Sequence, residues 1–289
     1  MRLPALLFSL SLSIRQELGW FHVSDIQRAL EAPRVVQFCE FFCGTGRMVS
    51  ACSDSNLRVA WYDWGIDPEK MNLSTAKGFA QALKLAISLC VKGSAWFGVP
   101  CYTFVVIAMG HTKRSFQDPL GDTGRPDVRE ANKLVVRVVF LLRVLAARGV
   151  YWVIENPCST VLFRMPALVA FFAVSKAKRR FLWLGHFGHL LLKPTVLFGT
   201  LPRLHAGTEL ATIKRKTGRT TSWAYISFIN KAGRKRFTGR KGLKKSQEYC
   251  PGSTKTNKKI GKKKHIFRQK LVRKKKQLPP KVRSLKQKF

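Results

Sequence analysis

The sequence predicts an α/β fold with a mainly parallel sheet, followed by a basic, largely disordered C-terminal tail. Three observations carry this expectation. Short apolar runs alternate with segments of helical periodicity, the pattern of parallel strands joined by crossover helices. Each of the first four apolar runs ends in residues that turn the chain or bear polar groups. Charge is unevenly spread: of 53 Lys+Arg and 15 Asp+Glu in 289 residues, 28 and 2 respectively fall in residues 206–289. With 46% apolar residues the remainder has material for a core. Three segments follow: an N-terminal extension with a helix (1–34), an α/β domain (35–205) and a Lys/Arg-rich tail (206–289).

In chain order, Gln16–Leu30 has helical spacing and Pro33 breaks it. Val35–Phe42 is a buried strand, followed by Gly44-Thr45-Gly46 and a short helix from Arg47 to Cys52. Leu57–Trp61 is a second strand, closed by Tyr62-Asp63. Ser74 is positioned to cap a helix over Thr75–Val91, apolar at Phe79, Leu83, Ala86, Ile87 and Cys90. Ala95–Val99 is a third strand, closed by Pro100-Cys101. Residues 109–126 read as a long surface loop. Val128–Arg148 is a long helix ended by Gly149. Val150–Ile154 is a fourth strand, closed by Glu155-Asn156-Pro157. A helix around Ala167–Ala177 and strands near Phe181–Leu184 and Thr195–Phe198 complete the domain, with helices on both faces of the sheet. Trp223–Ile229 has the composition of one further strand or hairpin.

Several classes are disfavoured. The seven cysteines (39, 43, 52, 90, 101, 158 and 250) are odd in number and contain no Cys-x-x-Cys pair. Neither a disulfide framework nor a zinc ribbon fits that spacing. His186 and His189 have no carboxylate or thiol at ligand spacing, so no metal site is expected. "MRLPALLFSLSLSIRQ" resembles a weak signal peptide without a small-x-small cleavage site. Free cysteines and a lysine-rich tail fit secretion poorly. The apolar stretch Val135–Leu145 is interrupted by Arg137 and Arg143, short of the ~20 apolar residues a membrane span needs; no membrane partner is expected.

Four strand ends carry candidate chemistry. In "EFFCGTGRM" (Glu40–Met48) the glycines permit close backbone approach to a ligand, although a tight turn alone accounts for Gly-x-Gly equally well. Asp63 closes the next strand, where nucleotide-type folds use a carboxylate on ribose hydroxyls; Asp67 and Glu69 compete for that role. In "WFGVPC", Cys101 sits at the carboxyl edge of the sheet, either as a nucleophile or as a small buried hydrophobe. In "VIENPCST", Glu155 follows four apolar residues, and burial would suit it to holding and donating a proton.

Taken together, "FFCGTG", "GVPC" and "ENP" resemble the cofactor, nucleophile and base-binding motifs of the cytosine-specific (carbon-5) DNA methyltransferases, over roughly Val36 to Pro202. The resemblance implies a Rossmann-like S-adenosylmethionine-dependent methyltransferase fold. It implies S-adenosylmethionine held at Phe42, Gly44, Gly46, Asp63, Asn72 and Pro100. It implies Cys101 as the nucleophile on a flipped cytosine and Glu155 as the group that protonates the ring. Asn156, Pro157 and Arg180, the last within "KAKRRFLWLG", would orient the base. The family's long specificity domain and its final cofactor-pocket segment have no recognisable counterpart. That departure sustains the alternative of a catalytically inactive nucleic-acid-binding protein on a degenerate methyltransferase frame. DNA is the expected partner, with RNA as the other polymer, through the cleft and through tail clusters such as "KRKTGR" and "GRKRFTGRKGLKK". "KKIGKKKH" and "RKKK" read as nuclear-import patches.

Overall fold

A computed structural model of the chain describes residues 33–184, 193–202, 204, 225–229, 233 and 235–239. All of them belong to the first of two units, Met1–Cys250 and Pro251–Phe289. The expected Gln16–Leu30 helix, the two histidines and the import patches lie outside the described residues.

The elements are β1 (Val36–Phe41), α1 (Arg47–Asp54), β2 (Val59–Tyr62), α2 (Ala76–Ser88), β3 (Leu89–Phe97), α3 (Met109–Thr112), α4 (Pro126–Ala147), β4 (Tyr151–Pro157), α5 (Pro166–Val174), β5 (Lys178–Trp183), β6 (Pro194–Gly199), β7 (Tyr225–Ile229) and β8 (Lys235–Gly239). Six strands form one sheet in the order β2-β1-β3-β4-β6-β5. The first four are mutually parallel. β6 runs antiparallel to both β4 and β5, so the sheet is mixed rather than wholly parallel. β7 and β8 form a separate antiparallel hairpin within the segment read as tail.

Cross-strand pairs assign the two faces of the sheet, because paired residues project to the same side. Phe41 pairs with Tyr62 and Phe97, and Phe97 with Ile154. All four are buried and belong to the main core. The phenyl rings of Phe41 and Phe97 stack 4.5 Å apart. Helices α2, α4 and α5 add Phe79, Val138, Leu142 and Phe171 among others to that core, and strand and loop residues such as Leu89, Phe104 and Trp152 complete it. The other face bears Glu40, Trp96 and Val153. It carries a smaller apolar cluster of Val153, Leu197 and Leu204 against Trp96, Leu182 and Leu201. α1 reaches this face through the Val49 amide, which donates to Glu40. The two faces are thus unequally covered among the described residues.

Several boundaries differ from the sequence reading: β4, for one, continues through Glu155-Asn156-Pro157, whose residues pair with β6. Thr75, not Ser74, caps α2: its Oγ1 accepts from the Gly78 amide at 3.0 Å. The Asn72 side chain accepts the Ser74 amide in a local turn, which carries the chain one residue further before the helix begins. α2 ends at Ser88, and Leu89–Val91 open β3. The pairing then shifts register, and Lys92 takes a left-handed conformation at φ 61°. The segment 109–126 contains α3 and is organised by Arg114, which is only 2% exposed. Its guanidinium donates to Leu120 O at 3.2 Å and Asn132 Oδ1 at 2.9 Å, and lies 4.1 Å from the Phe104 ring. Burial lowers the Arg114 pKa to about 10, which still leaves it charged at neutral pH. α4 begins at Pro126 and ends as anticipated near Gly149. Val150 N–H donates to Leu145 O and Gly149 N–H to Ala146 O, satisfying the last carbonyls.

Candidate active site

The carboxyl ends of β1, β2, β3 and β4 carry the motif residues, as parallel alignment requires. After β1, Phe42, Gly44 and Gly46 all have positive φ (59°, 50° and 67°). A Cβ built on either glycine meets nothing within 4 Å, so the turn borders open space. Asp63 leaves β2 beside this turn. Its Oδ2 accepts from the Gly44 amide at 2.8 Å, and its Oδ1 from Gly65 at 2.7 Å. Asp67 and Glu69 lie elsewhere: Asp67 turns the local chain through the Lys70 amide, and Glu69 pairs with Lys77 on the surface. Asn72 accepts from Ser74 at 3.0 Å, so its carboxamide oxygen shapes the entry to α2.

Beyond β3, the loop Gly98–Cys101 is clamped to β4. Asn156, 1% exposed, donates from Nδ2 to Val99 O at 2.8 Å. This bond joins the Pro-Cys and Glu-Asn-Pro segments through buried atoms. Further along, Phe104 and Val105 amides both donate to Cys101 O, at 2.9 and 3.1 Å. Val161 N–H returns a bond to Phe104 O, and Val105 bridges Thr160. Arg114 packs on the Phe104 ring. The backbone around Cys101 is therefore held at several points.

Glu155 and Cys101 are brought into one electrostatic neighbourhood. Burial raises the Cys101 thiol pKa above its ordinary value; the Lys193 ammonium opposes that shift, and the Glu155 carboxylate adds to it. Lys193 Nζ lies 3.9 Å from Glu155 Oε1, with both side chains mostly shielded from solvent. Lys193 precedes β6 and reaches the site because β6 is inserted next to β4. Arg180 enters by the same route. It pairs with Leu197 on β6, and Leu197 pairs with Glu155 on β4. These three residues form one cross-strand row on one face of the sheet. Pro157 ends that strand opposite Thr195.

Glu40 was missed in the sequence, although a lone carboxylate inside an apolar strand was a usable signal. It is 1% exposed. Its Oε2 accepts from the Val49 amide at 3.0 Å, while Oε1 has no hydrogen-bond partner among the described residues. Desolvation raises its pKa to about 7, with Asp63 and Glu155 adding to the shift and the Val49 bond opposing it. The folded pKa thus exceeds the unfolded value. Stability from protonated Glu40 is fully present below pH ~4.5 and is lost as pH rises through ~7. Glu40→Gln is expected to unfold at higher denaturant than the parent at pH 8, by about 3 kcal/mol. The gap should close below pH ~5. Denaturant titrations across that range measure it, and parallel curves would contradict the assignment.

Among the described residues, no group of three or more His, Cys, Asp or Glu is arranged to hold a metal ion. Nor is any described helix long and apolar enough to cross a membrane. No protein-family model and no curated protein sequence matches the chain.

Proposed function

We propose that the chain is an S-adenosylmethionine-dependent methyltransferase acting on carbon 5 of cytosine in DNA. The observation that carries this reading is the cluster of Cys101, Glu155 and Lys193 at the carboxyl edge of the sheet. A glycine turn with open space beside it closes β1 of the same sheet. The residues there suit S-adenosylmethionine. Gly44 and Gly46 leave room that a side chain would fill, with Phe42 beside them. Each Asp63 oxygen accepts one amide and retains a lone pair for a ribose hydroxyl. Asn72 and Pro100 would border the adenine. Bound there, S-adenosylmethionine supplies an electrophilic methyl group.

The chain's own residues then have distinct tasks. The target cytosine leaves the duplex stack to reach the cleft. Cys101 loses its proton to solvent, aided by the Lys193 ammonium, and its sulfur bonds to carbon 6. Glu155, a carboxylate at rest, takes up a proton as the base enters and gives it to the ring nitrogen, so that the electron pair displaced by sulfur becomes available at carbon 5. Asn156 and Pro157 aim Glu155, and Arg180 holds the base from the same row. After carbon 5 is methylated, its proton passes to water, the electron pair left behind expels the Cys101 thiolate from carbon 6, and the ring-nitrogen proton returns to Glu155. Tail clusters bind phosphates without sequence preference and would direct the protein to the nucleus.

The test is covalent trapping. With S-adenosylmethionine and duplex DNA containing 5-fluorocytosine, the carbon-5 elimination is blocked. A protein–DNA adduct that resists denaturation is expected, and Cys101→Ser should lose it. An adduct on RNA alone would move the substrate, and none on either polymer would overturn the reading. The inactive nucleic-acid-binding alternative draws on two observations: the raised Cys101 pKa and the commitment of Asp63 to Gly44 and Gly65. Salt-sensitive binding without an adduct would favour it.

A further inference from the structure

A second concavity of about 380 Å³ lies beyond the Glu-Asn-Pro segment, lined by Phe116, Cys158, Thr160, Phe163, Arg164, Arg179, Val196 and Phe198. It belongs to the opposite side of the sheet from Glu155. Arg179 pairs with Phe198, adjacent to the Arg180–Leu197 pair, and adjacent pairs project to opposite faces. Its floor is aromatic: Phe163 and Phe198 have ring centroids 4.7 Å apart, and Phe198 stacks on Phe172 at 4.5 Å. Phe116 is different, with 49% of its surface exposed at the rim. The charged lining residues are both arginines, each exposed, and neither forms an ion pair among the described residues.

Two guanidinium groups beside an exposed phenyl ring, with no carboxylate in the lining, suit a ligand that is both anionic and flat. Guanidinium binds phosphate oxygens in a fork geometry, and an aromatic ring stacks on a base of any sequence. A purely apolar ligand would leave the arginines unused, and a bare anion would leave Phe116 unused. A volume near 380 Å³ falls within the ordinary range of small-ligand pockets, which is about 300–1,000 Å³. The net charge of +38 favours a polyanionic source for the ligand.

From this we infer that the concavity is a nucleotide subsite. It takes one unstacked nucleotide of a nucleic-acid strand, with its phosphate on Arg179 and Arg164 and its base against Phe116. The inference goes beyond methyl transfer and does not depend on Cys101 chemistry.

Cys158 lines the pocket and is exposed, so its alkylation reports occupancy. The full-length protein is treated with iodoacetamide, and modification at Cys158 is read by peptide mass spectrometry, with Cys52 as an internal reference. Probes are a short oligothymidylate, thymidine monophosphate and inorganic polyphosphate. The oligonucleotide, and the mononucleotide at higher concentration, should slow alkylation of Cys158 several-fold. Polyphosphate can meet the two arginines but has no ring to place on Phe116, so it should protect Cys158 less than the oligonucleotide does. Phe116→Ala and Arg179→Gln change exposed side chains, and each should abolish protection while leaving the melting temperature unchanged. Equal protection by polyphosphate, protection that survives both substitutions, or no protection overturns the inference. Protection by oligonucleotide but not by mononucleotide keeps it and assigns the site to a strand. Failure of covalent trapping at Cys101 would leave this result unaffected.

Discussion

Glu155→Gln is expected to reduce trapping on 5-fluorocytosine DNA by about 10²–10⁴-fold while making Cys101 easier to alkylate. The two effects have separate causes. Glutamine preserves the shape of the side chain but has no acidic proton to give the ring nitrogen, so attack at carbon 6 becomes slow. Removing the carboxylate also removes a charge that raises the Cys101 pKa. More thiolate is then present at any pH below that pKa, and reaction with iodoacetamide speeds up. Lys193→Met should shift alkylation the other way, because the ammonium lowers the thiol pKa. Peptide-level rates at Cys101 for the parent and both variants, measured from neutral to alkaline pH, test the pair. If Glu155→Gln slowed alkylation and trapping together, Glu155 would be acting as a scaffold and not as the proton donor.

Gly78→Ala is expected to be the most damaging of the single-methyl changes. A Cβ at residue 78 would lie 1.8 Å from Asn72 O and 2.5 Å from its carbonyl carbon. Both are backbone atoms, so no rotamer change relieves the overlap. The Gly78 carbonyl also accepts from the Tyr62 hydroxyl at 2.9 Å, which ties the first turn of α2 to the end of β2. Moving the helix away would strain that bond and the Thr75 cap. Overpacking against backbone should destabilise by about 3 kcal/mol, or a fall of roughly 10 °C in Tm. Thermal unfolding followed by circular dichroism measures this. An unchanged Tm would mean that α2 does not approach Asn72 this closely.

The strand ends were legible because each places polar or turn-forming residues directly after an apolar run. That pattern survives in Gly44–Gly46, Asp63, Cys101 and Glu155, all of which lie at carboxyl ends of neighbouring parallel strands. The direction of β6 was not legible, since alternation of apolar residues looks the same read either way. Lys193 was therefore invisible as a neighbour of Glu155, 38 positions earlier in the chain. The end of α2 was hidden for a related reason: Leu89, Cys90 and Val91 continue the apolar pattern with no glycine or proline to interrupt it. Arg114 falls within the expected surface loop 109–126, and Arg137 reads only as a break in an apolar stretch. Both are buried, with guanidinium bonds to backbone carbonyls that no local pattern announces.

The insertion of β6 between β4 and β5 also bears on how the protein is made. Synthesis delivers β5 before the strand that must separate it from β4. A chain truncated after Trp183 would leave bare the β4 edge that pairs with β6, and that edge includes Glu155 and Asn156. Exposed edges recruit other strands, so a stalled or truncated product is prone to aggregate. β6 covers that edge, and Lys193 lies immediately ahead of it in the chain, bringing an ammonium that opposes the rise of the Cys101 pKa on burial. Covering the β4 edge and placing a cation near the Cys101 thiol are thus coupled through the same strand.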